Sequence, residues 1–314
     1  MKIAFMGTPD FAVPILQRLL EDPNYDVVCA ITQPDRPKGR KHKLTPPPVK
    51  VLAEKYSVPV LQPERVRKAE AVQEILSYGA DLLITAAYGQ FLPESLLKEP
   101  PLGCVNVHAS LLPSYRGAAP IQQSIIDGKK ETGVTIMYMV KQMDAGDLLS
   151  QVRVPIEHQD TFGTLHDKLS AAGSRLLMET LPKLAAGSLK PTPQNEKEVT
   201  FAPSIQHEDE EIKWEKTAVD VRNLIRGLNP FPGAYTRLNG SIFKIYAAEL
   251  TKVTTKEKPG TVFDNDTDGF LVATGYGQAI KVMECQPSGK KRMHAADFLR
   301  GKALELGIIL GGVS

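Results

Sequence analysis

The amino-acid sequence predicts an α/β fold: a doubly wound, mostly parallel, Rossmann-like sheet domain followed by a small OB-fold-like β-barrel domain. Three observations lead to this prediction. Short apolar runs alternate with helical periodicity in the first part of the chain, a stretch rich in Pro, Thr, Asn, Glu and Lys follows a long helix, and short strand-like runs fill the remainder. At 314 residues the chain is also long for one domain. We expect a sheet domain at residues 1–189, a linker at 190–206 and a barrel domain at 207–314.

The first strand and helix follow the order expected of such a sheet. Residues 3–6 predict a short buried strand. The Thr-Pro-Asp run at residues 8–10 offers an N-cap, a first-turn proline and a first-turn acid for a helix that ends near Leu20. Gly7 is the only glycine in the turn, so the G-x-G-x-x-G pattern of dinucleotide binders is missing and a nicotinamide cofactor is disfavoured.

The other elements of the sheet domain follow from the same periodicities. The predicted strands are 26–32, 81–86, one through 106 and 108, 134–139 and 148–156, and the predicted helices are 49–56, 64–78, 118–127 and 161–186. Strands that alternate with helices indicate a parallel sheet with right-handed crossovers. The last two strands have no helix between them, so we expect them to form an antiparallel extension.

The region after residue 206 changes to short runs separated by turn residues. A helix is predicted at 218–228, and the predicted strands are 234–238, 242–250, 260–263, 269–273 and 279–285. Strands at this spacing suggest a small barrel of the OB type. Periodicity alone leaves other small β folds open.

Composition sets limits on the function. The formal net charge of +2 is too small to indicate nucleic-acid binding, so any such prediction depends on local clusters. Cys29, Cys104 and Cys285 are far apart in apolar runs and are interpreted as reduced core residues of a cytoplasmic protein. No H-x-x-x-H or C-x-x-C pattern supports a metal site, and no apolar run is long enough to predict a membrane span.

The stretch from Gly103 to Pro120 carries the first candidate site. Asn106 and His108 are two residues apart on a predicted strand, so their side chains point to the same face. The strand's carboxyl end is where open α/β sheets bind ligands. An amide donor beside an imidazole suits acyl transfer to an amine, in which the carbonyl oxygen becomes negative and the amine loses a proton. The alternative is a structural histidine satisfied by neighbouring backbone.

A second strand ends in the acidic turn Met143-Asp144-Ala145-Gly146-Asp147. Two consecutive strands that end in His and Asp could bring a carboxylate to the imidazole. Asp144 would then hold the ring, favour its charged form and help to relay the proton lost by the amine. The alternative is that Asp144 only forms the turn beside a glycine.

These segments resemble one known family. The run NVHASLLPSYRGAAP, followed by a strand and MDAGD, together with KIAFMGTPDFAVPIL and TQPDRPKGR, is similar over essentially the whole chain to the folate-dependent formyltransferases. The resemblance implies 10-formyltetrahydrofolate as the formyl donor and a catalytic trio of Asn106, His108 and Asp144. The acidic turn is often longer in that family, which leaves Asp147 as an alternative to Asp144.

The resemblance also implies a folate contact and an acceptor. The folate-contacting segment matches Ser110, Leu111, Leu112 and Pro113, and the alternative is a strand-to-loop corner that merely ends the sheet. The whole-length similarity implies the methionine amine of initiator tRNA as acceptor, in translation initiation, with the barrel holding the tRNA. The alternatives are a sugar-nucleotide N-formyltransferase and a non-catalytic nucleic-acid-binding module. No obligate protein partner is implied.

Two basic clusters are candidate tRNA contacts. The proline-framed loop after the second strand carries Arg36, Lys38, Arg40, Lys41 and Lys43. Its length and its place at a strand's carboxyl end favour a basic arm for the acceptor stem over a merely solvated face, and the resemblance implies this use with Arg40 at the matching arginine. A predicted loop in the barrel carries Lys290, Lys291 and Arg292. The alternative for the barrel is a dimerisation or packing module.

Overall fold

The structure is a computed structural model that describes residues 1–38, 43–301 and 304–311. Contacts divide the chain into two units: the first holds residues 1–120, 131–155 and 166–202, and the second holds residues 121–130, 156–165 and 203–314. The limits expected from the sequence, 1–189, 190–206 and 207–314, stay a proposal. The observed division differs from these limits, because it gives residues 190–202 to the first unit and residues 121–130 and 156–165 to the second.

The described residues up to Ala202 alternate strands and helices. The strands are β1 (Lys2–Gly7), β2 (Asp26–Ile31), β3 (Arg36–Lys38), β4 (Lys43–Thr45), β5 (Val60–Leu61), β6 (Leu82–Ala86), β7 (Cys104–His108), β8 (Arg116–Gly117), β9 (Glu131–Tyr138), β10 (Leu148–Pro155) and β11 (Phe201–Ala202). The helices are α1 (Val13–Glu21), α2 (Pro48–Lys55), α3 (Ala69–Ser77), α4 (Glu94–Lys98), α5 (Pro120–Ile126) and α6 (Phe162–Ala185).

A seven-stranded sheet forms the centre of the first unit, in the order β10-β9-β7-β6-β1-β2-β5. Strands β5, β2, β1, β6 and β7 are parallel, whereas β9 and β10 extend the sheet in antiparallel fashion. The predicted sheet and its antiparallel extension are confirmed. Apart from Lys2 and Thr85, the strands β1 and β6 are apolar, and both are almost entirely buried, which is typical of central parallel strands covered on both faces. β7 lies between β6 and β9, so the site described below is at an inner strand.

Several local predictions were wrong. The first helix is preceded by a 3₁₀ turn, and the Thr8 hydroxyl donates to the Tyr88 carbonyl instead of capping a helix. α3 begins at Ala69, after the predicted start at residue 64, and β5 and α4 were not predicted. The supposed loop after β2 contains the antiparallel hairpin β3–β4. Elements of two to five residues have too few periodic positions to be recognised from sequence.

The second unit contains the predicted strands. Its elements are α7 (Ala218–Gly227), β12 (Tyr235–Leu238), β13 (Ser241–Leu250), β14 (Val262–Asn265), β15 (Phe270–Ala273), β16 (Ala279–Pro287), β17 (Met293–His294) and α8 (Ala295–Gly301). The antiparallel sheet has the order β12-β13-β16-β15-β14, with β17 paired to β16. It encloses a core in which the rings of Phe243, Phe270 and Phe298 pack with centroids 5.3 to 6.5 Å apart. In the described residues β12 does not pair with β14, so the sheet is a curled half-barrel.

Candidate active site

Asn106 and His108 lie on β7 and share one face, as predicted. The neighbouring strand β6 places Thr85 beside Asn106, and the buried Thr85 hydroxyl donates to Asn106 Oδ1 at 2.7 Å. Because its oxygen accepts from Thr85, Asn106 presents Nδ2 as a donor. None of the described residues accepts a hydrogen bond from this nitrogen. Thr85 therefore fixes the orientation of the Asn106 amide, and β7 offers Nδ2 as one amide donor.

The two ring nitrogens of His108 have different partners. The side chain is only 6% exposed, and Nε2 is 3.1 Å from the Tyr115 carbonyl oxygen. A carbonyl oxygen only accepts, so this bond assigns a proton to Nε2. Nδ1 faces Asp144 Oδ1 at 3.7 Å, within reach of an ion pair when the ring is protonated. Nδ1 is thus the nitrogen that faces Asp144, while the backbone carbonyl of Tyr115 satisfies Nε2.

Asp144 reaches His108 by a route that the sequence did not predict. β9 runs antiparallel to β7, with His108 opposite Thr135 and Tyr138 opposite Val105, so the chain leaves β9 at the far end of the strand from His108. The turn at 139–147 folds back toward the ring, and the Gly117 amide donates to Asp144 Oδ2 at 2.8 Å. The hypothesis that two strand ends bring the pair together was therefore wrong, although the pair itself forms.

Asp147 has a different environment. Its side chain is exposed, and its carbonyl accepts from the Tyr138 amide at 3.0 Å as the chain enters β10. In the part of the chain that the structure describes, its carboxylate makes no hydrogen bond or ion pair. The geometry places Asp144, and not Asp147, at the imidazole.

Sequence reasoning missed two residues that orient this site. Thr85 is the one polar residue of the otherwise apolar β6, and a buried hydroxyl in such a strand is a signal that it has a specific partner. Tyr115 contributes its carbonyl and has a left-handed backbone, with φ of 63°. No local signal marks Tyr115, because its role depends on where the chain returns after β7.

The segment from Ser110 to Pro113 is fixed by its backbone to β9 and β10. The Thr135 hydroxyl donates to the Ser110 carbonyl at 2.6 Å and accepts from the Leu112 amide at 3.1 Å. The buried Ser110 hydroxyl donates to the Ser114 carbonyl at 2.6 Å, and the Leu112 side chain is also buried. Leu111 and Pro113 are half-buried and are the members of this segment with side chains accessible to a ligand.

The hairpin β3–β4 carries part of the first basic cluster. Arg36 and Lys43 are exposed, and the register of the hairpin puts these two side chains on one face of the ribbon. Arg40 and Lys41 lie outside the described residues. At the base of the hairpin, hydrogen bonds from Gln62 and Lys50 lower the pKa of Asp35 and connect it to α2 and to the residue that follows β5.

The three residues of the second basic cluster have different environments. Lys290 and Lys291 are exposed in the turn between β16 and β17. Arg292 instead forms an ion pair with Glu284, donates to Asn229 Oδ1 at 3.1 Å and lies over the Tyr246 ring at 4.5 Å. Arg292 differs in this from Lys290 and Lys291, because its guanidinium is engaged within the second unit; its contact with tRNA stays a prediction.

The described residues contain no group of three His, Cys, Asp or Glu side chains that could hold a metal ion. Cys29, Cys104 and Cys285 are buried free thiols. None of the helices in the described part of the chain is both long and apolar enough to cross a membrane.

Comparison with known proteins gives a consistent result. The family model described as "Formyl transferase" matches residues 1–181, and that described as "Formyl transferase, C-terminal domain" matches residues 204–303. The methionyl-tRNA formyltransferase of Halalkalibacterium halodurans is 56% identical over 314 residues and 99% of each chain. That of Bacillus subtilis (strain 168) is 54% identical over 310 residues, which cover 99% of this chain and 98% of the relative.

Solved structures with the same fold are more distant. The N-formyltransferase from Helicobacter canadensis, in complex with folinic acid and dTDP-3-aminofucose, has a TM-score of 0.66 at 18% identity and covers 91% of this chain and 99% of its own. HypX from Aquifex aeolicus, in complex with tetrahydrofolic acid, has a TM-score of 0.63 at 19% identity and covers 95% of this chain and 47% of its own. At these identities the similarity concerns the fold alone.

Proposed function

Because the chain belongs to the formyl transferase family, in its methionyl-tRNA formyltransferase branch, we propose that it transfers a formyl group from 10-formyltetrahydrofolate to the amine of initiator methionyl-tRNA. This reaction serves the initiation of translation, and we place it in the cytoplasm. The observation that carries the proposal is the trio Asn106, His108 and Asp144 at the carboxyl end of β7. No obligate protein partner is needed for the chemistry.

The donors of the site fit a carbonyl ligand. Asn106 Nδ2 is a donor without a described acceptor, because Thr85 occupies the amide oxygen. As the amine attacks the formyl carbon, negative charge develops on the formyl oxygen, and Asn106 Nδ2 would donate to it. His108 Nδ1 would become a second donor once it has taken the proton of the amine. When bound, the folate supplies the formyl carbon and takes a proton on the nitrogen from which that carbon departs.

The proton of the attacking amine requires a temporary acceptor. His108 Nδ1 and Asp144 Oδ1 face each other at 3.7 Å, while His108 Nε2 stays bonded to the Tyr115 carbonyl. We assign to this pair the proton that the amine loses as the new C–N bond forms. The same proton returns to the departing folate nitrogen as the old C–N bond breaks, so the site ends in its starting state.

The substrate contacts follow from the exposed groups. Leu111 and Pro113 are the members of the Ser110–Pro113 segment that would touch the folate. The basic face at Arg36 and Lys43 would contact the acceptor end of the tRNA, together with Lys38, Arg40 and Lys41. Lys290 and Lys291 would contact the tRNA from the second unit, because they are exposed and carry no ion pair in the described residues.

The experiment that tests this function offers both kinds of acceptor. The protein is incubated with 10-formyltetrahydrofolate and a pool of aminoacylated tRNAs, and in parallel with a dTDP-amino sugar. We expect formyl groups on methionine alone, and on the initiator tRNA rather than the elongator. Formylation of the sugar and not of methionine would contradict the proposal.

A further inference from the structure

Residues 192–202, which we call the strap, run past both backbone segments that form the site. At one end Thr192 exchanges two backbone hydrogen bonds with Leu148, at 2.8 and 2.9 Å, just after the acidic turn. At the other end β11 pairs with β8, and the Tyr115 amide donates to the Thr200 hydroxyl at 2.9 Å. The strap therefore binds the segment that supplies Tyr115 and also the turn that supplies Asp144.

Gln194 is the member of the strap that holds the acidic turn. Its Nε2 donates to the carbonyls of Asp144 and Gly146, at 2.8 and 2.7 Å. Its Oε1 accepts from Arg116 Nε and Nη2, at 3.1 and 2.9 Å. Both hydrogens and the oxygen of the amide are thus used, so the side chain is fully satisfied.

Arg116 explains why the amide has this orientation. The side chain is 1% exposed, and its guanidinium also pairs with Glu196 Oε1 at 2.8 Å; these hydrogen bonds lower the pKa of Glu196. A guanidinium only donates, so Gln194 must turn its oxygen to Arg116 and its nitrogen to the turn. A buried charge is costly unless it is paired, and none of the proposed chemistry uses this one. The Arg116 guanidinium instead fixes the orientation of the Gln194 amide.

We propose that Gln194, with Arg116 behind it, is a positioning residue that keeps the Asp144 carboxylate against His108 Nδ1. The proposal rests on the proposed function of the trio. Asp144 has a left-handed backbone, with φ of 49°, a conformation that persists only where the surroundings hold it. Gln194 holds the carbonyl side of the turn, and the Gly117 amide holds the carboxylate. Without Gln194 the turn relaxes and the carboxylate moves away from the ring.

The test replaces Gln194 in the full-length protein. Gln194→Ala removes the amide, and Gln194→Glu keeps an oxygen toward Arg116 but puts a second acceptor against the two carbonyls. We expect kcat to fall by about 10- to 100-fold in both, because a misplacement of the order of 1 Å at a reacting group has such costs. KM for folate and tRNA should stay within about twofold. The pH–rate profile should also change shape, since the partner of Nδ1 has moved.

The matched control is Asn195→Ala, in the next residue of the strap. Asn195 is exposed, caps the short 3₁₀ turn that follows and has no bond to the acidic turn. We expect it to leave kcat and the pH–rate profile unchanged. Its thermal unfolding, measured beside that of the Gln194 variants, separates positioning from general loss of stability.

The outcomes distinguish this inference from the function itself. If wild type formylates methionyl-tRNA and Gln194→Ala matches it in kcat and pH–rate profile, the positioning role is wrong and the function stands. A fall in kcat with an unchanged pH–rate profile and a lower unfolding temperature would also overturn it, in favour of a structural role. If wild type forms no product, the proposed function fails, whatever Gln194 does.

Discussion

At the scale of the residue, His108 and Gln194 each have a partner that can only accept or only donate a hydrogen bond. That partner decides which atom of the side chain donates and which accepts. His108 must donate from Nε2 because the Tyr115 carbonyl only accepts, and Gln194 must turn Oε1 to Arg116 because a guanidinium only donates. Both assignments place the chemically useful atom on the Asp144 side. The orientation of the site is therefore set by groups outside the trio Asn106, His108 and Asp144.

The first prediction concerns the trio. We expect Asn106→Ala, His108→Ala and Asp144→Ala each to lower kcat by about 100- to 1,000-fold with a much smaller change in KM, because these groups act on the charge that develops during reaction. Asp147→Ala is the control, since its carboxylate is exposed and away from the ring. Steady-state kinetics of formyl-methionyl-tRNA formation measures all four. Near-normal turnover in the three folded trio variants would remove the proposed site.

The second prediction concerns the hydroxyl behind Asn106. Thr85→Val keeps the shape of the side chain but removes the donor to Asn106 Oδ1, so the amide is free to turn. A lost hydrogen bond of about 1 kcal/mol corresponds to a roughly fivefold lower kcat. Thr132→Val is the control, because the buried Thr132 hydroxyl has no partner in the described residues. That variant should keep its kcat and gain about 1 kcal/mol in free energy of unfolding. Equal kcat values would show that Thr85 does not orient the amide.

At the scale of the element, β8 and β11 connect the strap to the site, and Gly117 is the critical position. Its φ is 123°, and an added Cβ would lie 2.6 Å from the Ala202 carbonyl oxygen. We expect Gly117→Ala to lower the free energy of unfolding by about 1–3 kcal/mol and to lower kcat, because its amide also holds Asp144. Gly79→Ala is the control: its φ is 61°, but among the described residues no atom beyond Gly79 and its two chain neighbours lies within 4 Å of the added Cβ. Chemical denaturation and kinetics together measure the difference, and equal losses would mean that the contact with Ala202 is unimportant.

The hairpin β3–β4 leads to a prediction about tRNA. We expect Arg36→Ala, Lys43→Ala, Arg40→Ala and Lys41→Ala to lower kcat/KM for methionyl-tRNA and to leave folate binding unchanged. Each lost phosphate contact should reduce the logarithmic salt slope by roughly 0.7 to 0.9. Leu44→Ser is the control, because Leu44 is 61% exposed on the opposite face of the ribbon. Binding measured at several salt concentrations tests this. An equal loss of folate binding would mean that the hairpin shapes the active site itself. If neither kcat/KM for methionyl-tRNA nor folate binding fell, the hairpin would be only a solvated face.

At the scale of the whole molecule, buried thiols make both units sensitive to alkaline pH. Burial raises the pKa of Cys29 in the first unit from 9.0 to about 12, and that of Cys285 in the second unit likewise to about 12. The unfolded chain ionises these thiols above pH 9, whereas the folded chain keeps their protons until about pH 12. Their contribution to the free energy of unfolding is therefore complete below pH 9 and is lost as pH rises toward 12.

Urea unfolding at neutral pH and near pH 10 measures this effect, and we expect a lower midpoint at the higher pH. Cys29→Ala and Cys285→Ala should each reduce the pH dependence, because each removes one group that titrates differently in the two states. The same midpoint at both pH values would contradict the prediction. So would a pH dependence that both alanine variants keep in full.

The sequence alone determined the features that depend on local periodicity. The main strands and helices of the parallel sheet, the shared face of Asn106 and His108 and five of the six described strands of the second unit were predicted, whereas β17 and the short elements of the first unit were not. Side-chain direction repeats every two residues in a strand and every 3.6 in a helix, so burial leaves a readable local pattern. The motifs also pointed to the family that the comparisons then supported.

Only the tertiary structure decided which distant residues meet. Asp144 reaches His108 through a folded-back turn, Gln194 arrives from a segment predicted as a linker, and Arg292 is held by Glu284. Polar residues such as Asp, Gln and Arg are common in turns and exposed segments throughout a chain. The local sequence around them therefore does not indicate which distant residues they contact. Those partners depend on the path of the chain between them, and that path follows from the packing of the whole unit.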